Sequence, residues 1–212
     1  MVEDVGTNTQ AQVQLLRRRG RHTRWFALAM FVAFLGADPV ITHYPALERA
    51  LVALGNLLIV GGGLIRVYSA LFIGGWKNQR LAAVGPYALV RNPLYLGSLL
   101  ATLGVGLVTA SITLTALLFS FIMAYYSRTV AREEAYLQQH FGADYRAYQA
   151  AVPRWLPRPG ARLVLPAEVT VKPRYVLNGV RDITLLILAY PLCELVRVAH
   201  LSGWLPSFYR LW

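Results

Sequence analysis

Two polar runs hold most of the residues that could do chemistry. The first reads Gly85-Pro86-Tyr87-Ala88-Leu89-Val90-Arg91-Asn92-Pro93-Leu94-Tyr95-Leu96-Gly97. Gly-Pro makes a turn. Asn92 before Pro93 is a good helix start, because an Asn side chain caps free backbone N–H groups and Pro fits the first helical position. That explains both residues without a ligand. It leaves Arg91, flanked by Tyr87 and Tyr95 at the start of an apolar stretch. A guanidinium beside a helix N-terminus suits a carboxylate or a phosphate, and an anchor for lipid headgroups is an equally good reading.

The second run comprises Arg128-Thr129-Val130-Ala131-Arg132-Glu133-Glu134-Ala135-Tyr136-Leu137, then Phe141-Gly142-Ala143-Asp144-Tyr145-Arg146-Ala147-Tyr148, then Val152-Pro153-Arg154. Helical spacing sets Glu133 and Glu134 about 100° apart, so the two acids are expected to have different partners. Acids beside a bilayer would repel phospholipid headgroups and suit a cationic ligand. The plainer alternative is a solvated face balanced by Arg128 and Arg132. Stronger motifs are missing: there is no Gly-x-Gly-x-x-Gly after a strand, no phosphate-binding loop, no serine nucleophile signature, and no metal-ligand spacing among His22, His43, His140 and His200. The single cysteine, Cys193, lies in an apolar run and reads as packing.

The elements that must position these runs follow from composition. Of 212 residues, 56% are hydrophobic and only 15% charged, with mean hydropathy +0.44, whereas a soluble domain carries about a quarter charged residues. The net charge of +11 comes from 21 Lys and Arg against 10 Asp and Glu. These charges gather at the ends of apolar runs, which points to membrane lipids as partners and away from nucleic acid. The N-terminus is polar from Met1 to Gln14 and then basic, without a small-residue cleavage pattern, so the first hydrophobic helix is expected to stay.

The expected fold is all-α and polytopic, with about five transmembrane helices. Candidate spans are residues 25–44, interrupted by Asp38 and Pro39; Ala50–Ile73, where Gly61, Gly62 and Gly63 allow close helix contact and Arg66 snorkels or faces a pocket; two spans from Leu94 to Tyr126, reversing at Thr109–Thr113; and a fifth from Ile183. The implied division is a basic arm (1–24), helices 1 and 2 (25–73), a motif-bearing core (74–158) containing the hairpin 94–126, a linker (159–182) and a last helix (183–205). Basic residues precede the first span (Arg17, Arg18, Arg19, Arg21, Arg24), separate the second and third (Lys77, Arg80, Arg91) and follow the fourth (Arg128, Arg132, Arg146, Arg154, Arg158). The arm and both polar runs are therefore expected on the cytoplasmic side of a cytoplasmic membrane.

Gly85-Pro86-Tyr87 leading to Arg91-Asn92-Pro93-Leu94-Tyr95 and Gly97, then an apolar hairpin, then Glu133-Glu134-x-x-Leu137 with Phe141-Gly142-x-x-Tyr145-x-x-Tyr148 and Val152-Pro153, resembles the isoprenylcysteine carboxyl methyltransferase and phospholipid methyltransferase superfamily. The likeness covers roughly residues 70–158. It implies a membrane enzyme that binds S-adenosyl-L-methionine in a cytosol-facing pocket and methylates a lipid-borne or lipophilic acceptor. By that resemblance Arg91, Asn92 and Tyr95 line the cofactor pocket, Gly85 and Tyr87 shape its entrance, and Glu133 or Glu134 meets the cofactor's amino or ribose groups. This chain has Asn92 where many members have His, and Gln79 and Arg80 where many have a His before the turn.

A carboxylate acceptor is ionised at neutral pH and needs no base, whereas an ammonium must first lose a proton. With no histidine in either run, carboxyl O-methylation is favoured over phosphatidylethanolamine-type N-methylation. Glu134 is the one proton acceptor otherwise available, and Arg154 is the choice for orienting an anionic acceptor. Replacing Arg91 or Glu134 by Ala is expected to abolish cofactor binding while the bundle stays folded. The non-enzymatic alternative is a small membrane scaffold or transporter in which Arg66 and Glu194 are intramembrane functional charges.

Overall fold

The computed structural model describes residues 25–26, 28–73 and 81–212. The basic arm (1–24) and Lys77, Gln79 and Arg80 lie outside the described residues. After helical residues 28–35 and a turn at Gly36 the chain forms a short strand β1 (Ala37–Pro39), a 3-10 turn (Val40–His43) and the long helix α1 (Pro45–Ile73). A 3-10 turn (Pro86–Ala88) leads to α2 (Pro93–Val108), α3 (Ile112–Ala151), α4 (Pro173–Ile187), α5 (Ala189–Leu201) and β2 (Tyr209–Leu211). The architecture is a helical bundle whose surface carries large apolar side chains such as Leu57, Leu64, Leu117, Leu185 and Leu195. Such a surface suits hydrocarbon, where helices satisfy their own backbone groups.

Against the five expected spans, three helical stretches among the described residues are long and apolar enough to cross a bilayer: Pro45–Ile73, Ile112–Ala151 and Pro173–Leu201. The expected third span, α2, has 16 residues, about 24 Å at the α-helical rise and shorter than the roughly 30 Å hydrocarbon core. Asn92-Pro93 fixes its start and the reversal fixes its end. The expected first span stops at residue 36, because Asp38 and Pro39 run extended and β1 pairs in parallel with β2. The reversal falls at residues 109–111, with Ala110 at φ 53° and the Ser111 hydroxyl accepting the Leu114 N–H. C-terminal Trp212 covers this turn, its carbonyl accepting from Ser111 Oγ at 2.7 Å and from the Thr113 N–H at 2.6 Å.

Two boundaries differ from expectation. No breaker follows Tyr126, so α3 continues out of the apolar zone to Ala151, interrupted only at Gly142 (φ 54°). The last helix begins at Pro173, ten residues before the expected start, because Arg181 and Asp182 are accommodated within it by ion pairs instead of ending it.

Glycines set the spacing of α1 and α2. A Cβ on Gly55 would stand 2.8 Å from the Gly104 carbonyl oxygen, and one on Gly62 would stand 2.6 Å from the Ala101 nitrogen. On the partner helix, a Cβ at Gly97 would lie 2.5 Å from the Gly62 carbonyl oxygen. Seven residues separate the glycines on each helix, and the antiparallel pairs Gly55/Gly104 and Gly62/Gly97 form a backbone-to-backbone seam. Gly63 receives Ile183 of α4, while Gly61 has open space around it. Gly62→Ala is therefore expected to lower the thermal unfolding midpoint in detergent, by the roughly 1–3 kcal/mol typical of overpacking. Gly61→Ala should leave the midpoint within error or raise it slightly, and equal effects of the two would contradict the seam.

Candidate functional site

Where α2 begins, the two polar runs lock together. Gly85 takes φ 61°, a conformation costly for other residues, and its N–H donates to the Val164 carbonyl at 2.6 Å. A Cβ there would stand 2.6 Å from the Phe72 ring. This turn delivers Tyr87 into the interior, where its carbonyl accepts the Tyr148 hydroxyl at 2.8 Å. The Arg91 N–H donates to the Pro153 carbonyl at 2.8 Å, and Arg91 Nη1 to the Gln149 carbonyl at 3.2 Å. Gly142 bends the end of α3 so that Tyr145, Tyr148 and Val152 pack as one buried cluster.

The Glu134 carboxylate is the hub, with 4% of the residue exposed. Its Oε1 accepts from Asn92 Nδ2 at 3.0 Å and lies 3.3 Å from Arg91 Nε, an ion pair without hydrogen-bond geometry. Its Oε2 accepts from Arg154 Nε at 3.0 Å and from Arg154 Nη2. The expected capping role of Asn92 is corrected here. Its side chain makes no cap bond and reaches instead to Glu134 and to the Arg154 carbonyl, at 3.4 Å, because a buried carboxylate is the stronger acceptor. Glu133, one residue earlier, has a different partner and hydrogen-bonds Tyr95.

A cavity of about 220 Å³ opens beside this hub. Of the residues singled out from sequence, Tyr87, Arg91, Asn92, Tyr95, Glu133 and Glu134 line it. Gly85 lies behind the wall as a backbone hinge, and Arg154 stands outside the lining with its side chain 45% exposed. Sequence reasoning did not assign the lining role of Leu137, Tyr145 and Tyr148, although the Phe-Gly-x-x-Tyr-x-x-Tyr spacing is the signal that holds the tyrosines. Arg66, from the middle of an apolar helix, also lines the cavity.

The walls offer apolar surface from Ile73, Leu81 and Leu94 together with both signs of charge, which suits a zwitterionic ligand with an aromatic part. Tyr87 supplies the test of that fit, because its buried hydroxyl has no hydrogen-bond partner. Burial first, then Tyr148 and Glu133, hold this phenol well above its usual range, so it keeps its proton throughout the physiological range. It is a neutral donor awaiting an acceptor.

A polytopic helical bundle with a charged cavity at one end is the architecture of a membrane protein with an internal polar site. Residues 50–144 match the phospholipid methyltransferase family. The chain is 35% identical over 108 residues to the cobalt-zinc-cadmium resistance protein CzcN of Cupriavidus metallidurans, covering 51% of this chain and 50% of that one. It is 37% identical over 82 residues to the protein-S-isoprenylcysteine O-methyltransferase of Schizosaccharomyces pombe, covering 38% of this chain and 34% of the other. It is 24% identical over 148 residues to protein-S-isoprenylcysteine O-methyltransferase B of Arabidopsis thaliana, covering 64% of this chain and 75% of the other. No solved structure matches. Over this segment the chain is similar to the phospholipid methyltransferase family and to isoprenylcysteine O-methyltransferases. It spans about half the length of the resistance protein.

The hub corrects one expectation. Glu134→Ala would leave the Arg91 and Arg154 guanidiniums and the Asn92 amide without their common partner, so it acts on folding. Its expected cost is roughly 3–5 kcal/mol, the range for removing one partner of a buried ion pair. Glu134→Gln, which keeps one acceptor oxygen, should cost less. Urea or thermal unfolding in detergent checks the order, and an Ala variant as stable as the parent would refute the hub.

Proposed function

We infer that the protein is an S-adenosyl-L-methionine-dependent methyltransferase of an integral membrane type, acting on a lipophilic or lipid-borne acceptor. The observation that carries this reading is the cavity where the two superfamily motifs converge, with an orphaned neutral donor at Tyr87 and charged groups of both signs. When bound, S-adenosyl-L-methionine supplies a methyl group on a sulfonium centre. Tyr87 donates a hydrogen bond to the cofactor, Glu133 and Tyr95 meet its cationic or ribose side, and Arg91 and Asn92 form the wall that orients it. The apolar surface of Leu94 and Leu137 excludes water, and alignment of donor and acceptor is the main catalytic contribution.

Carboxyl O-methylation, as in the isoprenylcysteine relatives, is the favoured chemistry. Glu134 already accepts from Asn92 and Arg154 and is ion-paired with Arg91, so it serves as a positioning residue and is badly placed to take a proton from an ammonium acceptor. Arg154, exposed at the rim, remains the group closest in character to an acceptor-orienting cation. The cavity end is the cytoplasmic end, since Arg128, Arg132, Arg146, Arg154 and Arg158 all lie towards it.

Isothermal titration of the detergent-purified chain with S-adenosylhomocysteine tests the reading. Saturable binding is expected, and no binding by a folded sample would favour the scaffold or transporter alternative. Tyr87→Phe should weaken that binding by about three- to tenfold, the value of one neutral hydrogen bond. The same variant should leave the unfolding midpoint unchanged or slightly higher, since the lost hydroxyl has no partner in the protein.

A further inference from the structure

The cavity contains a second guanidinium whose place in the bundle is built from outside the matched segment. Arg66 stands on α1, and its Nη2 donates to Asp182 Oδ2 of α4 at 3.0 Å while Nη1 donates to Ser98 Oγ of α2. Ser98 is itself fixed, donating to the Leu94 carbonyl at 2.9 Å. The helix that supplies Asp182 docks on either side of this contact: Ile183 fills the space left by Gly63, and Gly179 faces Val67. On α2, Gly97 clears the arginine's stem, since a Cβ there would stand 3.0 Å from Arg66 Cγ. Three helices therefore hold one guanidinium against a cavity wall.

Arg66 and Arg91 each share a carboxylate with a second guanidinium, Arg91 sharing Glu134 with Arg154, and what sets Arg66 apart is its place within an apolar helix. Arg91 also donates to the Gln149 carbonyl. Asp182 is shared, its other oxygen lying 3.2 Å from Arg181 Nη2, so one carboxylate serves two guanidiniums and positive charge is left over. Arg66 Nε is also buried with no hydrogen-bond partner. A charged side chain in an apolar helix is costly unless it is paired or used. Two nitrogens of this guanidinium have partners and Nε, like that of Arg91, has none.

We propose that Arg66 binds a ligand carboxylate in the cavity and that Asp182, from the C-terminal helix, is its positioning residue. The proposal rests on the methyltransferase reading and names a contact within that site. The carboxylate belongs either to the amino-acid end of the methyl donor or to the acceptor. Either way α4 is a working part of the site and not only a packing element.

The test compares S-adenosylhomocysteine with 5′-methylthioadenosine, which lacks the amino-acid end, by titration into the full chain in detergent. If the carboxylate is the donor's, Arg66→Gln weakens S-adenosylhomocysteine binding about tenfold or more, as expected for a lost hydrogen bond to a charged group, and leaves methylthioadenosine binding unchanged. If it is the acceptor's, S-adenosylhomocysteine binding holds while the saturated protein loses affinity for S-farnesylcysteine and not for its carboxamide. Asp182→Asn should produce the same selective loss to a smaller degree, and Asp182→Glu should restore part of it. Should Arg66→Gln fail to fold, Arg66→Lys keeps the charge opposite Asp182 but lacks the Nε–H, and is expected to show the same pattern. Binding of all probes unchanged in both Arg66 variants, or lost equally for every probe in a folded variant, overturns the proposal. Failure of the parent chain itself to bind S-adenosylhomocysteine would instead overturn the methyltransferase reading on which it stands.

Discussion

A buried carboxylate must be paid for in hydrogen bonds, and the site is organised around meeting that demand at Glu134. Two guanidiniums and an amide converge on it from three parts of the chain: Arg91 and Asn92 at the start of α2, and Arg154 beyond the end of α3. Because an unpaired charge there would cost several kcal/mol, the start of α2 cannot drift from α3 without breaking the set. The backbone bond from Arg91 to Pro153 and the bond from the Tyr148 hydroxyl to the Tyr87 carbonyl stand on the same junction. The cavity is the space left beside this clasp, so its shape depends on the pairing of a residue that lies in its wall.

Packing in the rest of the bundle answers a different constraint. Between lipid tails there is little hydrophobic gain in burying one apolar helix against another, so close contact depends on small residues. The glycine pairs of α1 and α2 bring the backbones together along the length of α2. That contact anchors the short helix α2, which carries Asn92 and Tyr95 at its polar end. The same glycine-lined approach leaves room for the stem of Arg66 beside Gly97. Close packing and the placement of a charge thus come from one local arrangement.

Much of this was legible in the sequence because it rests on strong local signals. Gly85-Pro86, Asn92-Pro93, the reversal near Thr109–Thr113 and the apolar runs all state their conformations locally. The separate directions of Glu133 and Glu134 follow from helical geometry alone. What stayed hidden is long-range. Asn92 reads as a cap because a cap is the best use of an Asn at that position, and only the fold shows that Glu134, 42 residues away, competes for its amide. Arg91 reads as a free anchor for the same reason. The early start of α4 was concealed by its charges, which look like a boundary until Arg66 is found opposite Asp182.

That last pairing bears on how a site of this kind distributes its cations. Arg91 and Arg154 both stand on Glu134, as Arg66 and Arg181 both stand on Asp182. Arg66 is held by a carboxylate that also serves Arg181, and by a hydroxyl that carries no charge. In a medium of low dielectric, uncompensated charge acts over longer range than it does in water. Each carboxylate is shared by two guanidiniums, so both clusters keep positive charge that an entering anionic group meets. On the proposal above, the arginine of the sequence motif builds the wall and the one in the apolar helix meets the ligand's carboxylate.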